Sequence, residues 1–545
     1  MHSRKLSTTS LTPQFLCQWQ RQPDAVGARF VAAYHSRCAL PRWVRRRLPR
    51  QWKQSLAGVA LMLTLGVTPT WAATINVTTT TPDINADGQC SLIEAIDNAN
   101  DTTTGTVHND CEGGDPTGAD TITLPANSTH TLTAVNTDFV GPTGLPRITS
   151  VITIAGHGST ITRDPDTDPF RILALDGSGN LTVQDTTVRG GSVPGAGGGI
   201  AGFFGADVTL DGCTVTGNAA ASGGGIYVEP SGSQIEIRNS TISNNTASDS
   251  GGGVMIVGFG GIVRLLNNTI SGNSAVNNGG GVNSETIFSG TEILMEYSTV
   301  SGNTASNGGG VASRLSSTMG LRGTLIAGNT ATSAGNEVYR SGAGTFTVDG
   351  VNLFGHNGIT TAEALVGFTP GTSDILATLG ETNATALSAI LSPLMDNGGP
   401  PQTHALPDGS PAIDRIAADF PATDQRGVTR PQGSAADIGA FELEIDTAVT
   451  TDDLLAFFDQ AVADGTLQGV GSGGLALLRL KAMHLTLVVA DELVERNRTN
   501  LACADLQVAY RLTDGQGQPT DLVTGPAAPE LALLITATRE TLGCE

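Results

Sequence analysis

A repeat of about 28 residues in the middle of the chain limits its fold more than any other feature. Three glycines and an Ile or Val recur at Gly197–Ile200, Gly223–Ile226, Gly251–Val254, Gly279–Val282 and Gly308–Val311. A second pattern, Thr-x-Ser/Thr-x-Asn, recurs in phase with the glycines. A fixed period of this length is typical of solenoid proteins, in which each repeat is one structural unit.

Short segments of alternating polarity lie between these markers, such as Ile235–Ile237 and Thr214–Thr216. Alternation of this kind indicates β-strands, and no stretch within a repeat has a helical period. We therefore predict a mainly β fold in which each repeat forms one coil of a parallel β-helix. The β-helix is expected over residues 147–445, with roughly seven coils up to residue 350 and a few less regular ones after it.

The asparagine that ends the second pattern has a predicted structural role. Stacked at one turn of every coil, its amide can bond to the next asparagine or to the turn backbone, which satisfies buried polar groups. We expect glycines beside it to provide positive φ angles and close approach between coils. The predicted asparagine ladder comprises Asn218, Asn245, Asn273, Asn303 and, in a looser copy of the pattern, Asn329.

Residues 1–72 differ in composition from the rest of the chain. A basic stretch from Arg45 to Lys53, an apolar run from Leu56 to Val67 and small residues up to Ala72 predict a signal peptide with an N-terminal extension. The apolar run is too short to span a membrane. After residue 72 the chain has 18 basic and 50 acidic residues, and this acidic excess argues against nucleic acid and anionic membranes as partners.

Both flanks of the repeat are expected to be caps, because an open β-helix end invites aggregation. In the N-terminal cap, residues 73–146, Ser91 and Glu94 have the spacing of a helix capping box. Export makes disulfides compatible with this chain. We expect the pairs Cys90–Cys111 and Cys503–Cys544, with Cys213 buried and free.

Two terminal motifs resemble those of a known group of proteins. The stretch Cys90–Ala95 resembles the Cys-Ser-Leu-Arg-Glu-Ala motif of bacterial exported β-helix proteins, with Ile93 in place of the arginine. The segments Asp396–Pro400, Gly409–Asp414, Asp424–Gly427 and Asp437–Glu442 resemble the end of the choice-of-anchor β-helix group, and the repeats are similar to those of polymorphic outer-membrane and adhesin-like proteins. The resemblance implies a right-handed parallel β-helix outside the cell or on its surface, without a defined catalytic site.

The composition changes again at residue 451, where helical periods appear. Leu454, Leu455, Phe458 and Ala461 share one face of a first helix, and three more helices follow before residue 545. Short connections between four helices favour an antiparallel bundle. In such a bundle the start of the third helix lies beside the end of the fourth, which supports the Cys503–Cys544 pair. The segment resembles helical modules appended to bacterial surface proteins.

One motif suggests a calcium site. Asp83, Asn85, Asp87 and Glu94 occupy positions one, three, five and twelve of a calcium-loop pattern, with a glycine at position six. Oxygen ligands at this spacing can surround a hard cation. The alternative is a polar turn followed by a capping box, in which Glu94 bonds the backbone of Ser91. Calcium is thus the one cofactor that the sequence suggests.

Parallel β-helices also include pectin-degrading enzymes, so two catalytic arrangements need consideration. Residues 136–138, 156–158 and 171–172 resemble fragments of a polygalacturonase set, but the paired aspartates expected between the first two are absent, and hydrolysis needs two carboxylates. A lyase needs an Arg or Lys base near acidic ligands. Arg238, Arg264 and Arg322 fall at related repeat positions and could line one face, for which a solvated surface is the favoured interpretation.

From the sequence we predict an exported protein, extracellular or on the bacterial cell surface or outer membrane. Its role is structural, adhesive or glycan-binding, its partners are polysaccharides or surface proteins, and it is monomeric. No transmembrane span is expected in the mature chain. The alternative function is that of a polysaccharide lyase or glycoside hydrolase of the pectin-degrading type.

Overall fold

A computed structural model describes residues 73–286, 290–444, 449–513, 515 and 521–544. The predicted signal peptide over residues 1–72 lies outside the described residues. The described chain is a mainly β parallel solenoid of about nine turns followed by a group of helices. A typical coil contributes four strands in succession, and equivalent strands of successive coils pair in parallel. We call the four resulting surfaces walls 1 to 4.

Walls 1 and 2 form one continuous sheet that bends between them. Wall 1 contains the strands Thr74–Asn76, Asp120–Thr123, Asp207–Asp211, Gln234–Arg238, Gly261–Leu266, Thr291–Glu296, Thr318–Arg322 and Thr345–Asp349. Wall 2 contains Thr129–Leu132, Thr214–Thr216, Thr241–Ser243, Thr269–Ser271, Thr299–Ser301, Leu325–Ile326, Leu353–Phe354 and Ile375–Leu376. Two longer strands, Val151–Arg163 and Asn180–Arg189, run through both walls.

Walls 3 and 4 complete each coil. Wall 3 is short and contains Ala219–Ala220, Thr246–Ala247, Ser274–Ala275, Thr304–Asn307 and Thr330–Ala334. Wall 4 contains Leu173–Leu175, Ile200–Gly202, Ile226–Val228, Val254–Gly258, Val282–Thr286, Val311–Leu315, Val338–Arg340 and Leu365–Val366. The glycine triplets lie at the corner between walls 3 and 4.

The core is a set of aliphatic columns along the solenoid. In wall 1, Ile235 pairs in register with Val263, and Val263 pairs with Ile293, so each inward side chain lies on its equivalent in the next coil. All three are fully buried or nearly so. Complete burial of such a side chain contributes about 1.5–3 kcal/mol. The period-two alternation of the sequence therefore fixes which side chains face inward.

The corners explain the glycine triplet. Its first glycine has φ between +62° and +69° in all five complete copies, a region that costs side-chain-bearing residues free energy. Between walls 1 and 2 the bend is made by another residue with positive φ, such as Asn239 or Asn267. Asparagine tolerates this conformation better than most residues do.

The N-terminal part closes the first coils. Its strand Thr74–Asn76 already pairs in parallel with Asp120–Thr123, so solenoid pairing begins earlier than residue 147. Helix α1, Leu92–Asn100, buries its apolar side chains and begins at Ser91 with the predicted capping box to Glu94. The predicted disulfide Cys90–Cys111 is present beside it.

Solenoid pairing ends at Leu376, well before the expected residue 445. Short helices α2, Thr361–Ala364, and α3, Leu387–Ile390, follow the last coils, and the hairpin of Leu394–Met395 with Thr403–His404 is antiparallel. Residues 387–443 then return along wall 2 of earlier coils. We call this segment the strap.

The C-terminal part contains the four predicted helices, α4 Thr451–Ala463, α5 Gly474–Glu495, α6 Thr499–Arg511 and α7 Ala528–Thr541. A small antiparallel ladder joins Gln468–Gly469 to Val523–Thr524. The helices share a core of their own, which includes Leu454, Phe458, Met483, Leu506 and Leu531. The disulfide Cys503–Cys544 links α6 to the segment after α7. Among the described helices, none has the length and apolar character needed to cross a membrane.

Candidate functional site

The five predicted ladder asparagines form one continuous hydrogen-bond chain inside the solenoid. The side-chain amide of Asn218 donates to Asn245 Oδ1 at 3.0 Å, and the same bond repeats at 2.9 Å from Asn245 to Asn273, on to Asn303, and finally to Asn329. Each backbone N–H of the first four donates to the same oxygen. All five side chains are almost fully buried. The ladder supplies hydrogen-bond partners to buried polar groups at the turn of each coil, which is a structural role.

The aspartates and Glu94 of the calcium pattern are engaged in local bonds. Asn85 donates to Asp83 at 2.8 Å, and the Gln89 N–H donates to Asp87 at 2.8 Å. Glu94 accepts from the Ser91 N–H at 2.9 Å and is nearly buried in α1. Within the described ranges, no three His, Cys, Asp or Glu side chains form a group that would hold a metal ion. This geometry corresponds to the capping-box alternative, and calcium binding here stays a prediction.

The three repeat arginines face outward on wall 1, and each is paired with a carboxylate. Arg238 lies 3.0 Å from Asp211, Arg264 lies 2.7 Å from Glu296, and Arg322 lies 3.6 Å from both Asp349 and Asp419. The hydrogen bond that Arg238 donates to Asp211 raises the pKa of Arg238 above its usual value. A more firmly held proton makes an arginine a poorer general base. These pairs tie neighbouring coils together and do not resemble a lyase base.

The strap covers the outward side of wall 2. Gln425 bonds both Thr241, at 2.8 Å, and Thr269, at 2.7 Å, although more than 150 residues separate it from either. His404 Nε2 lies 2.9 Å from Ser271 Oγ, and its Nδ1 lies 2.6 Å from the carbonyl oxygen of Ser392. Thr241 and Thr269 are therefore buried, whereas the equivalent Thr214, outside the strap, is half-buried.

The charged residues of the terminal motifs hold the strap in shape. Arg426 pairs with Asp424 at 2.8 Å, and Arg430 pairs with Glu442 at 3.1 Å, and all four side chains are almost fully buried. The guanidinium of Arg426 also lies 3.7 Å from the Phe441 ring centroid. Removing one partner of such a pair leaves a buried charge uncompensated. The motifs that carry the family resemblance are thus structural in this chain.

A cluster of aromatic rings at the N-terminal end of wall 4 is the candidate binding surface. We call Phe139, Phe203, Phe204 and Tyr227 the aromatic patch. Phe139 lies 6.2 Å from both Phe203 and Phe204, and Phe203 lies 5.6 Å from Tyr227, measured between ring centroids. Phe204 is 63% exposed, while Phe203 beneath it is buried. Four clustered rings are notable because aromatic residues make up only 4% of this chain.

The patch rests on a buried arginine. Arg171 is fully buried, and its guanidinium lies 5.2 Å from the Phe203 ring centroid. It donates to the carbonyl oxygens of Val140, Ala196 and Gly197 and to Thr143 Oγ1, and no carboxylate of the described chain pairs with it. Burial lowers its pKa to about 10. Arg171 thereby fixes the loop that carries Phe139 to the first coils.

Backbone conformation at the patch is strained at two positions. Phe204 has φ +57° and Val140 has φ +50°, and both side chains are exposed. For a β-branched residue such as Val140, this conformation is a genuine outlier, and outliers persist where the surroundings hold them in place. The bonds of Arg171 to Val140 and of Glu229 Oε2 to the Phe204 N–H, at 3.2 Å, supply that constraint.

Polar groups border the rings. The Tyr227 hydroxyl donates to Glu229 at 2.7 Å, and burial, followed by this bond, raises the pKa of Tyr227. Arg147 lies 4.4 Å above the Phe139 ring centroid and 3.3 Å from Asp176. Apolar rings with fixed donors and acceptors at their edge are typical of sites that orient a ligand.

Sequence reasoning missed this patch. Among the residues of the polygalacturonase-like set, Arg171 does support the aromatic patch, but it does so as a buried cation. His157, the other basic residue of that set, forms a turn with φ +50°. The one local signal was the pair Phe203–Phe204 directly after a wall-4 strand, where other coils have Glu229 or Val257. Bringing Phe139 to it requires the tertiary contact through Arg171.

One of three comparisons with known proteins, the match to a family model, bears on the architecture. Residues 150–293 match the family model described as the right-handed beta helix region. No curated protein matches the chain. Among solved structures, the crystal structure of pectate lyase Pel9A is similar, with 14% identity, a TM-score of 0.43, and coverage of 70% of this chain and 98% of that one. The family model over residues 150–293 and the parallel coils agree on a parallel β-helix fold for the solenoid.

Proposed function

We propose that this protein is an exported, cell-surface or extracellular β-helix that binds neutral polysaccharide at the aromatic patch without cleaving it. The observation that carries the proposal is the exposed Phe204 ring, which packs beside the buried Phe203 and whose backbone N–H is held by Glu229. Sugar rings present a face of C–H groups that packs on an aromatic ring, while their hydroxyls need donors and acceptors at its edge. Arg147, Asp176 and Glu229 provide such groups.

The charge of the protein selects between classes of polysaccharide. The chain has a formal net charge of −22, and its acidic excess is larger without the first 72 residues. At the patch itself Asp176 is paired with Arg147, so the selection comes from the charge of the whole chain. Acidic polymers such as polygalacturonate are repelled by it at a distance. A neutral polysaccharide meets no such barrier.

A binding role fits the state of the charged side chains on wall 1. A lyase requires an arginine or lysine that can lose its proton, and Arg238, Arg264 and Arg322 are each engaged with carboxylates of neighbouring coils. For Arg238 the bond to Asp211 raises the pKa and so stabilises the protonated form. The wall-1 arginines thus support cohesion of the coils rather than proton abstraction.

The experiment is affinity electrophoresis of the full chain in gels containing a neutral β-glucan, a neutral galactan or polygalacturonate. We expect retention by at least one neutral polymer and none by polygalacturonate. Phe204→Ala should weaken retention about tenfold, which corresponds to about 1.4 kcal/mol. The matched control is Val276→Ala, because Val276 is 62% exposed directly after the wall-3 strand Ser274–Ala275 and its truncation should leave retention unchanged. Equal retention of the Phe204→Ala variant and the parent would overturn the proposal.

A further inference from the structure

The first strand of the solenoid begins directly after the predicted signal peptide, which ends at residue 72. This strand, Thr74–Asn76, pairs in parallel with Asp120–Thr123. Ala73, the first described residue, continues the pairing, since its carbonyl oxygen accepts from the Thr121 N–H at 2.8 Å. The same register places Ala73 opposite Asp120.

Asp120 is a buried acid with one unused oxygen. Its residue surface is only 1% exposed. Its Oδ1 accepts from the Asp115 N–H at 2.8 Å, and its carboxylate also accepts a hydrogen bond from the backbone N–H of Ala73. Oδ2 is buried and has no donor among the described residues. A buried carboxylate is costly unless it is both paired and hydrogen-bonded.

The surroundings of Asp120 supply no positive charge. The charged side chain that acts on it is another acid, Asp115, and no arginine, lysine or histidine of the described chain contributes to its electrostatics. A third acid, Glu112, lies on the same strand and accepts from the Asn76 N–H at 2.6 Å. Burial, and then the charge of Asp115, raise the pKa of Asp120 above its usual value. The site therefore lacks a cation.

We propose that cleavage after Ala72 completes this site, because the new α-ammonium group of Ala73 forms an ion pair with Asp120. Hydrolysis of the peptide bond consumes one water and leaves a carboxylate on Ala72 and an ammonium on Ala73. The uncleaved amide has one N–H and no charge, whereas the ammonium has three N–H groups. One of them can keep the existing bond while another reaches Oδ2. The proposal rests on the proposed export, and not on the polysaccharide.

The position of the pair gives it a structural consequence. Thr74–Asn76 is the outermost strand of wall 1 and, among the described strands, pairs with Asp120–Thr123 alone. So short a strand makes few ladder bonds, and its attachment depends on what holds its N-terminal end. A charge-assisted hydrogen bond is about twice as strong as a neutral one. Cleavage thereby fixes the first strand to the end of the solenoid.

Hydrogen exchange tests the ion pair at the two strands that it joins. The chain that begins at Ala73 keeps every contact named above, since residues 73–545 form one compact unit. We compare it with the full, uncleaved chain and follow amide protection over residues 74–76 and 120–123. Protection should be about tenfold higher in the cleaved chain, which corresponds to about 1.4 kcal/mol. Equal protection in both chains would overturn the proposal.

Two variants separate the ion pair from other effects of residues 1–72. Asp120→Asn keeps an oxygen acceptor for the Asp115 N–H but removes the charge, so it should abolish the difference between the cleaved and uncleaved chains. The matched control is Asp166→Asn, because Asp166 is exposed in a turn and should leave the difference unchanged. Circular dichroism checks that each variant is folded. A difference that persists in Asp120→Asn would contradict the ion pair.

The reactivity of the amine gives a readout that needs no variant. Lys481 is the only lysine after residue 72, so the cleaved chain has two amines, and Lys481 is exposed. Relative to Lys481, the α-amine should react with acetic anhydride about tenfold more slowly in the folded chain than in urea, because the ion pair holds it protonated. Equal relative rates in both conditions would overturn the proposal. These readouts do not involve the aromatic patch, so they remain decisive even if polysaccharide binding fails.

Discussion

The side-chain amide of Asn329 donates to Glu337 Oε2 at 2.6 Å, and this bond ends the asparagine ladder. Glu337 also accepts from the N–H groups of Gly328 and Asn329, at 2.9 and 3.3 Å. It occupies the place of the third glycine of the triplet, because Val311 pairs with Val338. The glycine repeat therefore stops at the coil where the next asparagine is missing, and the carboxyl group of Glu337 supplies the acceptor.

This relationship predicts an unusual pH dependence of stability. Burial raises the pKa of Glu337 to about 8, from 4.5. Between these values the folded state binds more protons than the unfolded state, so the free energy of unfolding decreases as the pH rises from about 5 to about 8. The Glu337→Gln variant cannot ionise, so its free energy of unfolding should lack this decrease of a few kcal/mol between pH 5 and pH 8. Denaturant unfolding followed by circular dichroism at pH 5, 7 and 9 measures it.

Comparing the free energies of unfolding of the parent and of Glu337→Gln at each pH separates the effect of Glu337 from that of every other titrating group. The stability difference between the Gln variant and the parent should shift in favour of the variant as the pH rises. A constant difference across the range would show that Glu337 does not change its charge there.

The middle of the ladder should be sensitive to truncation. Asn273→Ala leaves two donors of Asn245, its side-chain amide and its backbone N–H, without their shared acceptor. Unsatisfied buried groups cost about 1–3 kcal/mol each, so we expect the two to cost about 2–6 kcal/mol together. The control is Asn277→Ala in the same coil, because Asn277 is exposed and bonds only Asp249 at the surface. Urea unfolding compares them, and equal losses would contradict a structural role of the ladder.

The third glycine of the triplet should be required for steric reasons. In Gly253→Ala the new Cβ would lie 2.6 Å from the Gly281 carbonyl oxygen and 3.1 Å from the Asn273 side chain. We expect a loss of about 2–3 kcal/mol, typical of overpacking. Gly217→Ala is the control for backbone strain alone, with φ +64° and open space around it, and should cost about 1 kcal/mol. A smaller loss at Gly253 than at Gly217 would contradict the proximity of glycine and asparagine.

These contacts explain why the fold was predictable from the sequence. The glycine triplets and the asparagines are two markers in one period because the third glycine lies against the asparagine side chain. The strap was not predictable, since Gln425 reaches Thr241 across 184 residues and no local pattern encodes that contact. The aromatic patch was missed for the same reason, because Phe139 and Phe204 come from different coils. A sequence repeat indicates contacts between equivalent residues of successive coils. The strap and the aromatic patch instead bring together residues that are not equivalent.

The strap should loosen in acid. Burial lowers the pKa of His404 below 6.5, so the unfolded state binds a proton more readily than the folded state. The stabilisation is complete above pH 6.5 and is lost as the pH falls through the folded value. We expect protection factors from hydrogen exchange over residues 390–406 to fall between pH 7.5 and 5. His404→Gln should show a smaller change, and an identical pH dependence in both proteins would contradict the role of His404.

The most direct test of the central claim is to incubate the full chain with a neutral β-glucan and with polygalacturonate, and to follow binding and polymer length together. Each reaction is run with calcium and with chelator. Binding of the neutral polymer without any shortening, and no reaction with polygalacturonate, is the result that we predict. Shortening of either polymer would contradict a purely binding role and would direct attention to the carboxylates and arginines of wall 1.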